Sequence, residues 1–91
     1  MARDPRADAA GPTTAQIRAA RALLDWPQDR LAMAAGVGRA TVADFERGAR
    51  RPNRQNLLAM QQALEAAGVE FLATPGGGFG VMLHQPATAT A

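Results

Sequence analysis

The chain of 91 residues contains no cysteine, serine, lysine or tyrosine. Without cysteine there is no disulfide and no thiolate metal site. With serine, lysine and tyrosine also missing, the common side-chain nucleophiles are gone. His84 is the sole histidine, and one imidazole without thiolates does not make a typical zinc site; it reads as an exposed bystander. Glu65 and Glu70 lie too far apart along the chain to suggest an acid/base pair. The expectation is therefore no enzymatic activity, no metal and no cofactor. Aromatics are scarce as well, only Trp26, Phe45, Phe71 and Phe79. No stretch approaches the roughly 20 apolar residues of a membrane span. The opening MARDPRADAAGP lacks the apolar core of a signal peptide. These absences point to a cytoplasmic protein with no membrane partner.

What is present is alanine-rich. Hydrophobic residues make up 47% of the chain, but much of that is alanine, so a single domain with a small, helix-packed core is expected. The net charge is +2 and every basic residue is arginine. Arg39, Arg47, Arg50, Arg51 and Arg54 fall in one short window, against only Asp44 and Glu46. Such clustering suits a polyanionic partner, or it is a solvated surface; charge alone leaves both open.

Residues 1–12 mix Arg, Asp, Ala, Gly and Pro without periodicity and read as a disordered tail. Arg3 and Arg6 could form a basic arm, but Asp4 and Asp8 cancel them. Thr13-Thr14-Ala15-Gln16 is a capping-box pattern that opens a first helix, with Ile17, Ala20 and Leu24, and Leu23 beside them, as its buried stripe. That helix should stop near Asp25. Trp26 should staple the entry to a second helix, packing on Arg30 or Leu31. Pro27 cannot cap with its side chain, although it suits a first helical position. Asn53 can cap a fourth helix, whose stripe is Leu57, Leu58, Met60, Leu64 and Ala67, ended by Gly68. Val69–Leu72 and Val81–Leu83 are β-prone runs around the glycine-rich segment 74–80, which together predict a short hairpin. A phosphate cradle in that segment would need a following helix and a Lys-Ser/Thr pair, and neither is there. A lone hairpin is marginal in water, so it should pack on the fourth helix or pair with a second subunit. Residues 84–91 read as a flexible tail.

The centre of the chain is Gln28–Gly48, QDRLAMAAGVGRATVADFERG. Leu31, Ala32 and Ala35 share one helical face. Gly36 follows where the chain must reverse, since glycine takes positive φ without a Cβ clash. Val37, Val42 and Phe45 then point back at that face. Gly48 ends the next helix, which starts at Gly38 or Arg39. With Gln28, Ala32, Gly36, Val37, Thr41, Val42, Glu46 and Gly48 in these places, the segment from about Thr13 to Gly68 resembles the Cro/C1-type (XRE-like) helix-turn-helix regulators.

The resemblance implies a mainly α fold: a four/five-helix, lambda-repressor-like DNA-binding domain at residues 13–68, with the hairpin at 69–83 as a candidate dimerisation element. It implies double-stranded DNA as partner, with the helix 39–47 in the major groove. Arg39, Ala40, Thr41, Ala43 and Asp44 would then face base edges. Arg39 can reach guanine O6 and N7, Ala40 or Thr41 a thymine methyl, and Asp44 cytosine N4; an Arg39–Asp44 surface contact is the alternative. Gln28 resembles the family's glutamine that touches the DNA backbone and braces the recognition helix. Arg47, Arg50, Arg51 and Arg54 would meet phosphates, which position without reading sequence. Arg21 and Glu46 occupy places where related proteins form a partly buried ion pair. Pro27, Gly38 and Asp25 depart from the family's usual capping residues. Two functions follow: a regulator, expected to repress as a homodimer on a palindrome, or an antitoxin-type protein that binds a toxin-like partner and represses its own promoter. Exposed Trp26, Phe71, Phe79 and Met82 would be compatible with the second.

Overall fold

A computed structural model of the protein describes residues 11–48 and 53–85. The expectations for the N-terminal arm with Arg3 and Arg6, for Arg50 and Arg51, and for most of the tail after His84 fall outside the described residues. Four helices are followed by one hairpin: α1 Thr14–Leu24, α2 Gln28–Ala35, α3 Arg39–Arg47, α4 Arg54–Ala66, β1 Val69–Ala73 and β2 Phe79–Leu83. The architecture is mainly helical with a short C-terminal hairpin, consistent with the lambda-repressor-like fold.

Local chemistry sets the helix ends. Thr13 Oγ1 accepts from the Gln16 amide at 3.1 Å while Gln16 Oε1 accepts from the Thr13 amide at 3.0 Å, a complete capping box. Asn53 Oδ1 accepts from the Asn56 amide at 2.7 Å and caps α4. Pro27 and Gly38 precede α2 and α3 with no side-chain cap; Pro27 takes the cap position rather than the first helical one, so its rigid φ does not start the helix. α1 and α2 end in the same way. The Trp26 amide bonds the Arg21 carbonyl and the Val37 amide bonds the Ala32 carbonyl, each reaching back over a residue in the left-handed region. At the end of α2 that residue is Gly36, φ 71°; at the end of α1 it is Asp25, φ 58°, where an L side chain costs about 1 kcal/mol.

Ile17, Ala20, Leu31, Ala32, Val42, Phe45, Met60, Leu64 and Val69 form the core. Trp26 is half-buried against it, with Arg30 stacked 4.8 Å from the centre of its ring. Leu23 and Leu58 lie beside the expected stripes rather than in them and are exposed. Each sits one residue off its helix's core-facing line, about 100° round the axis.

The hairpin extends further into the glycine-rich segment than the β-prone runs indicate. Phe79 and Gly80 pair with Ala73 and Leu72, which leaves a turn at residues 74–78 closed by the Gly78 amide on Thr74 Oγ1. Val69 is itself in the core, so the hairpin is continuous with the helical domain. It packs on α1 as well as α4. The α1 contact is specific: buried Gln16 donates from Nε2 to the carbonyls of Leu72 and Gly80, at 3.0 and 2.8 Å. One side chain thus completes the α1 cap with its oxygen and clamps both strands with its nitrogen. The α4–β1 junction needs Gly68. Its φ is 109°, and a Cβ there would stand 2.9 Å from the His84 carbonyl oxygen.

Candidate nucleic-acid interface

α3 has two faces. Val42, Phe45 and Glu46 are buried. Arg39, Ala40 and Arg47 are exposed, and Thr41, Ala43 and Asp44 are half-exposed. Positions 39, 40, 43, 44 and 47 form one outward stripe by helical spacing, with two small residues flanked by charged ones. Such a stripe leaves room for a groove wall to approach the backbone.

The inner face is held by Glu46. Its side chain is only 3% exposed, which for a lone carboxylate is costly. Arg21 meets it with two parallel hydrogen bonds, Nε to Oε2 at 2.6 Å and Nη2 to Oε1 at 2.7 Å, the strong bidentate form. Gln28 Nε2 donates to Oε1 at 3.0 Å. Burial pushes the Glu46 carboxyl up; the bonds from Arg21 and Gln28, with the charges of Arg21 and Arg18, outweigh it and hold the group below its ordinary value. The bond to Glu46 raises Arg21 in turn. Two further bonds extend the brace: Arg18 Nη1 donates to the Glu46 carbonyl at 2.7 Å, and Arg21 Nη1 to the Trp26 carbonyl at 2.8 Å. α1, α2 and the α1–α2 turn are therefore tied to α3 through Glu46 and its partner Arg21.

Gln28 spends its amide on this brace in the free protein. Arg39 and Asp44 do not meet. Arg39 Nε pairs with Asp29 Oδ1 on α2 at 2.7 Å, and Asp44 pairs with Arg47 one turn along α3. Arg54 is exposed on the first turn of α4. Trp26 and Phe71 are half-buried against the core, so of the four side chains expected on the surface only Phe79 and Met82 are exposed. His84 is exposed and pairs with Glu70 at 2.6 Å.

Three residues take roles that no motif in the sequence marks: Arg18, Asp29 and Gln16 as a clamp. Arg18 had a signal, since it lies three residues before Arg21 on one helical face. Asp29 had none, because its partner comes ten residues later across a turn. Among the described residues no His/Cys/Asp/Glu cluster could hold a metal, and no helix is long and apolar enough to cross a membrane.

A family model for the helix-turn-helix matches residues 17–71, more than half of the chain, from the first core residue of α1 into β1. No curated protein matches the chain. The matched segment holds all the partners of Glu46 and the whole outward stripe of α3. The chain belongs to the Cro/C1-type, XRE-like helix-turn-helix family of DNA-binding transcriptional regulators.

Proposed function

We propose that this protein is a repressor that acts as a homodimer, with α3 in the major groove. The observation that carries the reading is the outward stripe on a helix whose inner face is fixed by a four-way brace. Preorganisation of that kind lets a short helix read bases without a further ordering cost. Arg39, Ala40, Thr41, Ala43 and Asp44 face base edges, while Gln28, Arg47, Arg50, Arg51 and Arg54 serve the phosphates. Asp44 reads cytosine only if Arg47 releases it to a phosphate, so the two act as a unit.

A domain this small offers too little contact for typical specific affinity, and two half-sites about 34 Å apart supply the rest. The hairpin favours a second copy as the partner. The bonds of His84 to Gly68 and of Thr74 to Gly78 set the ladder phase. In that phase the pairs 69/83 and 71/81 turn their N–H and C=O groups to the outer edges. Val69 is covered by the core, but among the described residues the outward-facing backbone groups of Phe71, Val81 and Leu83 make no hydrogen bond. An unpaired edge is a template for strand addition. Exposed Met82 borders the same hairpin.

The test is fluorescence anisotropy with the protein's own upstream DNA against scrambled duplex at two salt concentrations, alongside sedimentation of the full chain. Tight, sequence-dependent binding of two chains per site is expected. Equal, weak, salt-abolished binding to both duplexes overturns the reading and favours a partner protein, rather than DNA, as what the chain binds.

A further inference from the structure

The pair between Arg39 and Asp29 joins the first turn of α3 to the first turn of α2. Both side chains are well exposed, at 70% and 69%, and an exposed pair contributes little to folding. An acid in the first turn of α2 is ordinarily explained by the helix dipole. The dipole does not explain why the carboxylate engages Arg39, the arginine placed to read a base. Asp29 also adds negative charge to a surface that must approach phosphates, so general DNA affinity leaves its place unaccounted for.

The geometry of the contact does account for it. Arginine carries five N–H donors in a planar fork. Asp29 Oδ1 stands 2.7 Å from Nε as an ion contact, on the side of the fork nearest the chain. The two terminal nitrogens form the end that meets guanine O6 and N7 with parallel bonds. A carboxylate beside Nε therefore draws the guanidinium towards α2 by charge and leaves the reading end to the DNA. It also partly neutralises an arginine that would otherwise bind any phosphate within reach.

We infer that Asp29 is a specificity-determining positioning residue: its carboxylate orients Arg39 for bidentate reading of one guanine in each half-site and weakens the hold of that arginine on non-cognate DNA. The inference rests on the proposed placement of α3 in the major groove.

The test uses the full chain as wild type, Asp29→Ala, Arg39→Ala and the double variant. Each is titrated with a duplex selected from a random library by the wild-type chain, with the same duplex substituted at each guanine in turn, and with random duplex, at one salt concentration. Arg39→Ala should reduce discrimination at one guanine by about tenfold or more. Asp29→Ala should reduce it at the same guanine by about three- to tenfold, the ordering cost of one long side chain, while binding to random duplex tightens. In the double variant, loss of Asp29 should reduce discrimination no further. A purely structural Asp29 would shift the thermal midpoint and both affinities together, leaving their ratio alone. If Asp29→Ala leaves the ratio within twofold of wild type while Arg39→Ala lowers it, Asp29 has no positioning role and the groove placement stands. If Arg39→Ala leaves every guanine equally discriminated, the groove placement itself is wrong, and the role of Asp29 falls with it.

Discussion

The two faces of α3 carry the same chemistry and use it in opposite ways. On the inner face, Glu46 meets Arg21 in a pair whose acid is almost wholly removed from water. On the outer face, Arg39 meets Asp29 and Arg47 meets Asp44, with the arginines mostly in solvent. Inside, the attraction is little screened, the acid has no water to fall back on, and the geometry becomes obligatory. Outside, water competes for every bond, so the pairs add little to folding and leave donors available to another polyanion. The lesson is that burial, rather than residue type, divides a helix into a part that fixes the fold and a part that is free to bind.

The sharpest way to break this contrast is Arg21→Met. It strands the Glu46 carboxylate with Gln28 as its remaining side-chain donor, and should cost about 3 kcal/mol or more in urea unfolding. Glu46→Gln should cost less, because the orphaned Arg21 is the more exposed partner and can reach water. Acid should reveal the same pair. The Glu46 carboxyl lies below its ordinary value when folded, so its stabilisation is present above the ordinary carboxylate range and is lost as pH falls through the lowered value. The stability of Glu46→Gln should consequently fall less steeply in acid than that of the wild type.

Gln16, the other buried polar side chain among the described residues, extends the test to a neutral group. Gln16→Glu keeps an oxygen for the Thr13 amide but aims a carboxylate at two carbonyls, and should cost about 2 kcal/mol. Early hydrogen exchange should then appear in β1 and β2. If Gln16→Ala is as harmful as Gln16→Glu, the clamp matters less than the cap.

On the outer face, Arg39→Ala should lower discrimination at one base pair by about 1–3 kcal/mol, with unfolding stability changed by no more than about 0.5 kcal/mol. The smallest effect should come from Arg54→Ala. It should weaken all duplexes alike and reduce the log–log salt slope by about one unit. Loss of base discrimination on removing Arg54 would move the reading surface from α3 to α4.

Much of this molecule is readable in advance. The capping box at Thr13, the reversal at Gly36, the stop at Gly48 and the cap at Asn53 are local devices, each decided within about four residues by hydrogen-bonding reach or backbone freedom. The spacing of Leu31, Ala32, Val42 and Phe45 specifies which faces meet, because helical periodicity turns sequence distance into direction. Leu23 and Leu58 show the limit of that rule: periodicity marks a stripe but not its width, which depends on how many neighbours crowd it.

By itself, the sequence determined where the helices start and stop, which apolar faces they bury, and that no thiol or serine chemistry is available. Beyond the Arg21–Glu46 pair and the Gln28 brace that the resemblance implied, the tertiary structure alone decided the long-range polar partnerships. It turned Gln16 from a cap into a clamp on both strands, brought Arg18 to the Glu46 carbonyl, and set Asp29 rather than Asp44 against Arg39. Apolar burial is additive and non-directional, so a pattern along the chain predicts it. A hydrogen bond depends on angles and on distances of a few tenths of an ångström between groups far apart in sequence, and only the folded chain fixes those.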